Sequence, residues 1–206
     1  LDRFQIPTLA PDQSVGRLPD GGTELYFYAK TNITPGNENL VIAGGPVLLP
    51  PSFTPDGGFF SGAVVVQVLG AETNHLIHYT LDGSPPTAMS PILTANLTLN
   101  KSTVLRVLAI NAQGQPGASE ARSYFIGVNH ELPIVSLATA PANLAFRDGY
   151  LYGMGTNVLS SQNQVLQNYP YSGSYAWKDR EVEIAMEFFE TNHVLGFRQR
   201  AGMKIF

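Results

Sequence analysis

The sequence predicts an all-β protein built around a sandwich of short strands. Apolar or alternating runs recur about every ten residues, between turn clusters drawn from 20 Gly and 15 Pro. Charged residues make up only 14% of the chain, well below the usual content of about a quarter. The third observation is residues 77–87, IHYTLDGSPPT, around which the rest is organised. Ile77, Tyr79 and Leu81 alternate as a strand does, and the run ends at Asp82-Gly83. Gly83 tolerates the positive φ of a tight turn, and Asp82 can bond its own nearby backbone. Pro85 and Pro86 then remove the donors a central strand needs, so a strand runs into a stiff, exposed corner.

Length and charge exclude several function classes. At 206 residues the chain can hold one large or two small domains, and a hydrophobic content of 44% suffices for a core. The net charge is −4 and no basic run occurs, which argues against nucleic acid or an anionic membrane as partner. No apolar run approaches the ~20 residues of a membrane-spanning helix. Cysteine is absent, which removes disulfides and thiolate metal sites from consideration.

Taken in order, residues 1–39 are rich in Pro and Gly, with one good strand at 24–29. Residues 40–51 read as a strand or linker, and Pro46, Pro50 and Pro51 argue for an edge position. Residues 55–62, PDGGFFSG, read as a turn cluster. Residues 63–69 are nearly continuous in β-branched residues and read as a buried strand. Strands at 77–81 and 91–99 flank the proline corner, the second with Ile92, Leu97 and Leu99 apolar. Residues 103–110 alternate: the Leu105, Val107, Ala109 face is uninterrupted and is placed inward, with Arg106 outward. A loop at 111–119 precedes the closing strand at 121–126, whose inward pair is Tyr124 and Ile126.

This central region resembles the chitobiase/β-hexosaminidase C-terminal-type module. The residues that carry the likeness are Tyr79, Thr80, Asp82, Gly83, Pro86 and Thr87, then Thr103, Leu105, Arg106 and Ala109, then Gly114, Ser119 and Tyr124. Ser90 and Ile92 stand where the family has a serine and a tyrosine, which bears on local register. The resemblance implies an immunoglobulin/fibronectin-III-like β-sandwich over 40–128, with Asp82, Gly83 and Pro86 as a structural turn. Within 1–39, Gly16, Arg17, Pro19, Asp20 and Gly21, then Thr34, Pro35, Gly36 and Asn39, resemble the end of a bacterial lamin-tail-like domain. The plainer alternative is an extended leader with two turns.

Residues 127–131 form a polar hinge, and 132–139 a strand that begins at a proline. A short helix or turn, an Asp148-Gly149 corner and a short strand at 150–153 follow, then a long polar loop at 156–174. Residues 176–190 fit two periods. Period two places Val182, Ile184, Met186 and Phe188 inside and Glu181, Glu183 and Glu187 outside; a helix would group Val182, Met186 and Phe189. The strict alternation favours a strand, with a turn at 191–193 and a return at 198–205. Residues 131–206 resemble the opening of the spore-coat CotH family of secreted atypical protein kinases and their relatives. The matching residues are Leu132 to Leu137, Tyr150 to Gly153, Trp177 to Arg180, Glu187 to Glu190 and Arg200 to Ile205. The flanking strands are therefore expected to come from incomplete neighbouring domains, divided at 1–39, 40–128 and 129–206.

No constellation in the sequence assigns catalysis. His75, His78, His130 and His193 lack zinc-site spacing, and His78 is placed facing solvent. Asp82 and Asp148 each precede Gly, and turn chemistry is preferred to calcium binding or catalysis. Glu181, Glu183, Glu187 and Glu190 invite comparison with a glycosidase carboxylate pair, and a solvated strand face is preferred. GYLYGMG lacks the following helix that would cradle phosphate. Tyr150, Tyr152, Tyr169, Tyr171, Tyr175 and Trp177 form an aromatic-rich region; core packing or contact with the remainder of the neighbouring domain is preferred to rings that stack on glycan, for which Tyr169, Tyr171, Tyr175 and Trp177 are the candidate ligand-binding set. Asn32, Asn96 and Asn100 match N-glycosylation acceptors.

The chain lacks an initiator Met and a signal peptide and stops within a strand pattern, so it is expected to be part of a larger extracellular or cell-surface bacterial protein. The expected role is a non-catalytic spacer or adhesion module that positions a downstream CotH-like domain. A carbohydrate-binding accessory module and the N-terminal part of an atypical secreted kinase are the alternatives. Cofactors are expected to be absent from this stretch, with ATP and Mg2+ reserved for the longer parent. Expected partners are that downstream domain and a cell-surface glycan.

Overall fold

The computed structural model describes residues 13–29, 34–39, 48, 50–70, 75–112, 114–145 and 151–205. Its strands are β1 (Gln13–Arg17), β2 (Leu25–Ala29), β3 (Ser52–Thr54), β4 (Gly58–Phe60), β5 (Val64–Leu69), β6 (Leu76–Thr80), β7 (Leu97–Leu99), β8 (Thr103–Ile110), β9 (Pro116–Ile126), β10 (Ile134–Ala138), β11 (Val182–Phe189) and β12 (Leu195–Met203). Short 3-10 turns at Pro141–Leu144 and Tyr175–Trp177 are the helical pieces among the described residues. No helix among them is long and apolar enough to cross a membrane. The protein is all-β, as its alternating runs predict.

A three-stranded sheet, β3-β5-β7, faces a four-stranded sheet, β4-β9-β8-β6. Phe53, Val64, Val66, Ile77, Leu99, Leu105, Val107, Ala109 and Tyr124 form the buried cluster between them. The inward face of β8 is the one its alternation predicts, with Leu105, Val107 and Ala109 fully buried. Tyr124 is also inward, with Ile126 packed at the margin of the cluster. The Tyr124 hydroxyl donates to the Pro55 carbonyl, and burial pushes its pKa well up. After the proline corner the chain runs beside β6, through Tyr79 N–H to Pro91 O and Leu93 N–H to Ile77 O, and then crosses to the other sheet as β7.

Several local expectations change. The cluster at 55–62 contains β4, which pairs in parallel with β9. β5 alternates rather than being wholly buried, with Val65 53% exposed. β9 begins at Pro116, inside the expected loop. The run at 91–99 keeps only β7 as a strand, and Ile92 makes an isolated bridge to His78. The N-terminal strand has a partner, β1, in an antiparallel hairpin. Leu151 and Tyr152 form a turn rather than a strand. Pro46, Asn32, Asp148 and Tyr150 lie outside the described residues.

The larger correction concerns what lies outside the sandwich. A third sheet, β10-β11-β12, packs on the outer face of the four-stranded sheet. Arg106, placed outward from its alternation, is therefore 1% exposed. Glu187, also placed outward, is 2% exposed. His78 is buried too, and its Nδ1–H donates to the Ser90 carbonyl at 2.8 Å. Alternation separated Arg106 and Glu187 from the apolar face of their strands correctly, and the facing sheet covers them; His78 meets the chain returning past Ser90 and Ile92 instead. In β11 the strand conformation holds, but Glu187 and Phe189 turn to the sandwich, with a register shift between Phe188 and Phe189. The far face of the third sheet leaves Val135, Leu137 and Phe197 about half exposed.

Candidate functional site

The joint between the sandwich and the third sheet gathers charge from distant parts of the chain. Both oxygens of the buried Glu187 carboxylate are engaged. One accepts from the Ser123 backbone N–H at 2.6 Å, and the other from Arg198 Nε at 2.8 Å. Ser123 Oγ lies 2.7 Å from Ser136 Oγ, which joins β9 to β10. Arg198 reaches on to Asp56 at 3.3 Å, and Asp56 accepts from Arg122 Nε at 2.6 Å. Charge-assisted bonds of this kind are among the stronger ones available to a protein.

Burial pushes the Asp56 carboxyl up, but Arg122 and Arg198 outweigh it and hold the pKa below its ordinary 3.8. A depressed aspartate pKa contributes stability that is complete above the ordinary value and lost as the pH falls through the folded-state value. The stability difference between wild type and Asp56→Asn is therefore expected to be constant near neutral pH and to shrink below pH 3.8. Thermal unfolding across an acid series checks this. A difference that grows in acid would contradict the pairing.

A second cluster sits beside the proline corner. Gly83 has φ +83°, and a Cβ there would lie 3.0 Å from the Thr139 carbonyl oxygen. The turn expected at Asp82, Gly83 and Pro86 is present: Asp82 Oδ1 accepts from the Ser84 N–H at 2.9 Å, and Gly83 and Pro86 are buried. The corner is also a contact surface. The Gly83 carbonyl accepts from Arg106 Nη1 at 3.2 Å, and Arg106 Nη2 donates to Glu183 at 3.2 Å. Burial pushes the Arg106 pKa down, opposed by Glu183. Arg200 lies 3.9 Å from the same carboxylate. Glu181, Glu183, Arg200 and Gly202 line an open cavity of about 310 Å3 at this edge.

The third cluster is aromatic. Phe59 of β4 stacks on Phe125 at 4.7 Å and on His193 at 4.0 Å. Phe189 meets both phenylalanines edge-on at 5.5 Å. His193 Nε2–H donates to the His130 carbonyl at 3.0 Å. Its ring is thus used in packing, and no group of three or more metal-binding side chains occurs among the described residues.

Sequence reasoning missed Asp56, Phe59, Arg122, Ser123, Phe189 and Arg198 as joint residues. Two signals were present. Adjacent Phe59-Phe60 point to both faces of a strand, and an arginine inside the apolar run of β8 marks an outer face that another layer covers.

The aromatic set of the sequence lies away from this joint, on the segment between β10 and β11. Tyr169 is 85% exposed and Trp177 64%, whereas Tyr171 and Tyr175 are half-buried. Trp177 Nε1–H donates to the Pro170 carbonyl at 2.8 Å, and Tyr169 meets Tyr171 edge-on at 6.0 Å. Arg180 and Lys178 lie over the Tyr175 ring. The Tyr175 N–H donates to the Gly153 carbonyl at 2.8 Å, bringing exposed Tyr152 alongside. Core packing does not account for Tyr152, Tyr169 and Trp177. Asn96 and Asn100 are exposed.

Residues 55–120 match the family model for the chitobiase/beta-hexosaminidase C-terminal domain. The match runs from the turn before β4 into β9 and agrees with the immunoglobulin-like sandwich. It fits a non-catalytic module of carbohydrate-associated type. No curated protein matches the chain.

Proposed function

From a sandwich of the chitobiase C-terminal type, we propose that this chain is a rigid, non-catalytic arm of a larger CotH-like protein. The sandwich holds the segment beginning at 129 in a fixed orientation, and residues 1–39 are the remnant of a lamin-tail-like domain. The observation that carries this reading is the inter-sheet joint, with Glu187 2% exposed and bonded to Ser123. A flexible linker would leave that carboxylate in water. The half-exposed apolar face of the third sheet supports a further part of the CotH-like domain as its partner. ATP and Mg2+ belong, on this reading, to polypeptide of the parent other than these 206 residues. The setting is extracellular or at the cell surface, which is usual for domains of this type.

The test uses the absence of native cysteine. Nitroxide labels at Met89→Cys and Val194→Cys occupy exposed positions on the two units. Pulsed electron resonance is expected to give one narrow distance distribution. A broad distribution would overturn the rigid-arm reading. A second reading, a carbohydrate-binding accessory module, is favoured by the exposure of Tyr169 and Trp177.

A further inference from the structure

We infer that the segment from Leu151 to Trp177 is a binding site for an uncharged glycan. The inference rests on the second reading above and is independent of the joint. Five aromatic residues, Tyr152, Tyr169, Tyr171, Tyr175 and Trp177, fall within these 27 residues, and no Asp, Glu, Lys, Arg or His does. The longest such stretch elsewhere, residues 83–100, has 18 residues and no aromatic ring, so this stretch is compositionally distinct. Gln162, Asn163, Gln164 and Asn168 are exposed on the same loop.

That pairing of chemistries suits a neutral sugar. A pyranose presents an apolar C–H face, which stacks on an aromatic ring, and a rim of hydroxyls, which bond to amides that both donate and accept. An acidic glycan calls for arginine or lysine, and the nearest cations in sequence, Lys178 and Arg180, lie over the Tyr175 ring. An aliphatic peptide ligand would require an apolar groove; this loop exposes the amides at 162–164 and 168 beside Tyr169, with Val165 and Leu166 as its exposed aliphatic side chains.

The rings are also held in place before any ligand arrives. Trp177 is tied to the Pro170 carbonyl, Gly173 N–H to Gln167 Oε1 at 3.1 Å, and Tyr175 packs over Gly155, where a Cβ would come within 2.7 Å of its ring. Gly155 has φ +71°, so glycine permits both the turn and the close approach. Fixing the rings in advance lowers the ordering cost of binding.

Trp177 is the only tryptophan, so its emission reports on the site directly. The whole chain is titrated with cellohexaose and chitohexaose as neutral probes and with oligogalacturonate as an acidic one. A neutral probe is expected to shift the emission, and oligogalacturonate to leave it unchanged. Tyr169→Ala removes a ring that is 85% exposed, so the fold should survive, and binding should weaken about tenfold. Trp177→Ala, read by calorimetry, should abolish binding. Neutral-glycan binding that persists at full strength in both variants would put the site elsewhere and overturn this inference while sparing the second reading. Oligogalacturonate binding as tight as the neutral probes would overturn the uncharged class. No binding of any probe would overturn both the inference and the reading beneath it.

Discussion

Glu187→Ala is expected to destabilise the protein by about 3 kcal/mol, a loss of roughly 10 °C in Tm for a chain of this size. The reasons are specific. The substitution leaves the Ser123 N–H, on a residue 3% exposed, without an acceptor between two sheets. It also strips Arg198 of its shorter carboxylate bond and leaves only Asp56. An orphaned buried donor costs about 1–3 kcal/mol, and the broken ion pair adds to it. Glu187→Gln retains the shape and one acceptor and should cost about half as much. Differential scanning calorimetry checks both variants. A loss below about 1 kcal/mol for the alanine variant would mean that the carboxylate is solvated.

Phe189→Ala is expected to cost about 3–5 kcal/mol and to uncouple the two units. Phe189 is 1% exposed and fills the angle between Phe59 and Phe125, with rings near perpendicular at 88° and 89°. Its removal leaves a cavity where the third sheet meets the sandwich through ring packing. Edge-to-face pairs add about 0.5–1.5 kcal/mol each beyond burial. The wild type should unfold in one denaturant transition. The variant should show two, with the sandwich melting last because its own core, from Val66 to Leu105 and Tyr124, is untouched. A single transition displaced without splitting would mean that the sheets cannot fold apart.

The joint also explains why a glycine stands at the proline corner. A side chain at Gly83 would be strained at φ +83° and would press on the Thr139 carbonyl. The turn therefore ends β6 locally and serves the docking of β10's end at longer range, two demands that both point to glycine.

The amino-acid sequence by itself determined the strands whose alternation is strict. β8 appears where its pattern predicts, with Leu105, Val107 and Ala109 inward, and the Asp82-Gly83 corner ends β6 as its turn chemistry requires. These signals are local: period two and the conformational preferences of Asp, Gly and Pro act within a few residues. It also marked Tyr169, Tyr171, Tyr175 and Trp177 as a group, although not which rings face solvent. Only the tertiary structure decided the fate of Arg106, Glu187 and His78. Arg106 and Glu187 lie on strand faces that meet the neighbouring sheet rather than water, which depends on residues far away, whereas His78 bonds to the chain returning past Ser90 and Ile92. Glu183 is 77 positions from Arg106, Glu187 is 64 from Ser123, and Arg198 is 142 from Asp56. Period two separates the two faces of a strand; burial of the second face is set by packing between layers, which leaves no periodicity in the chain.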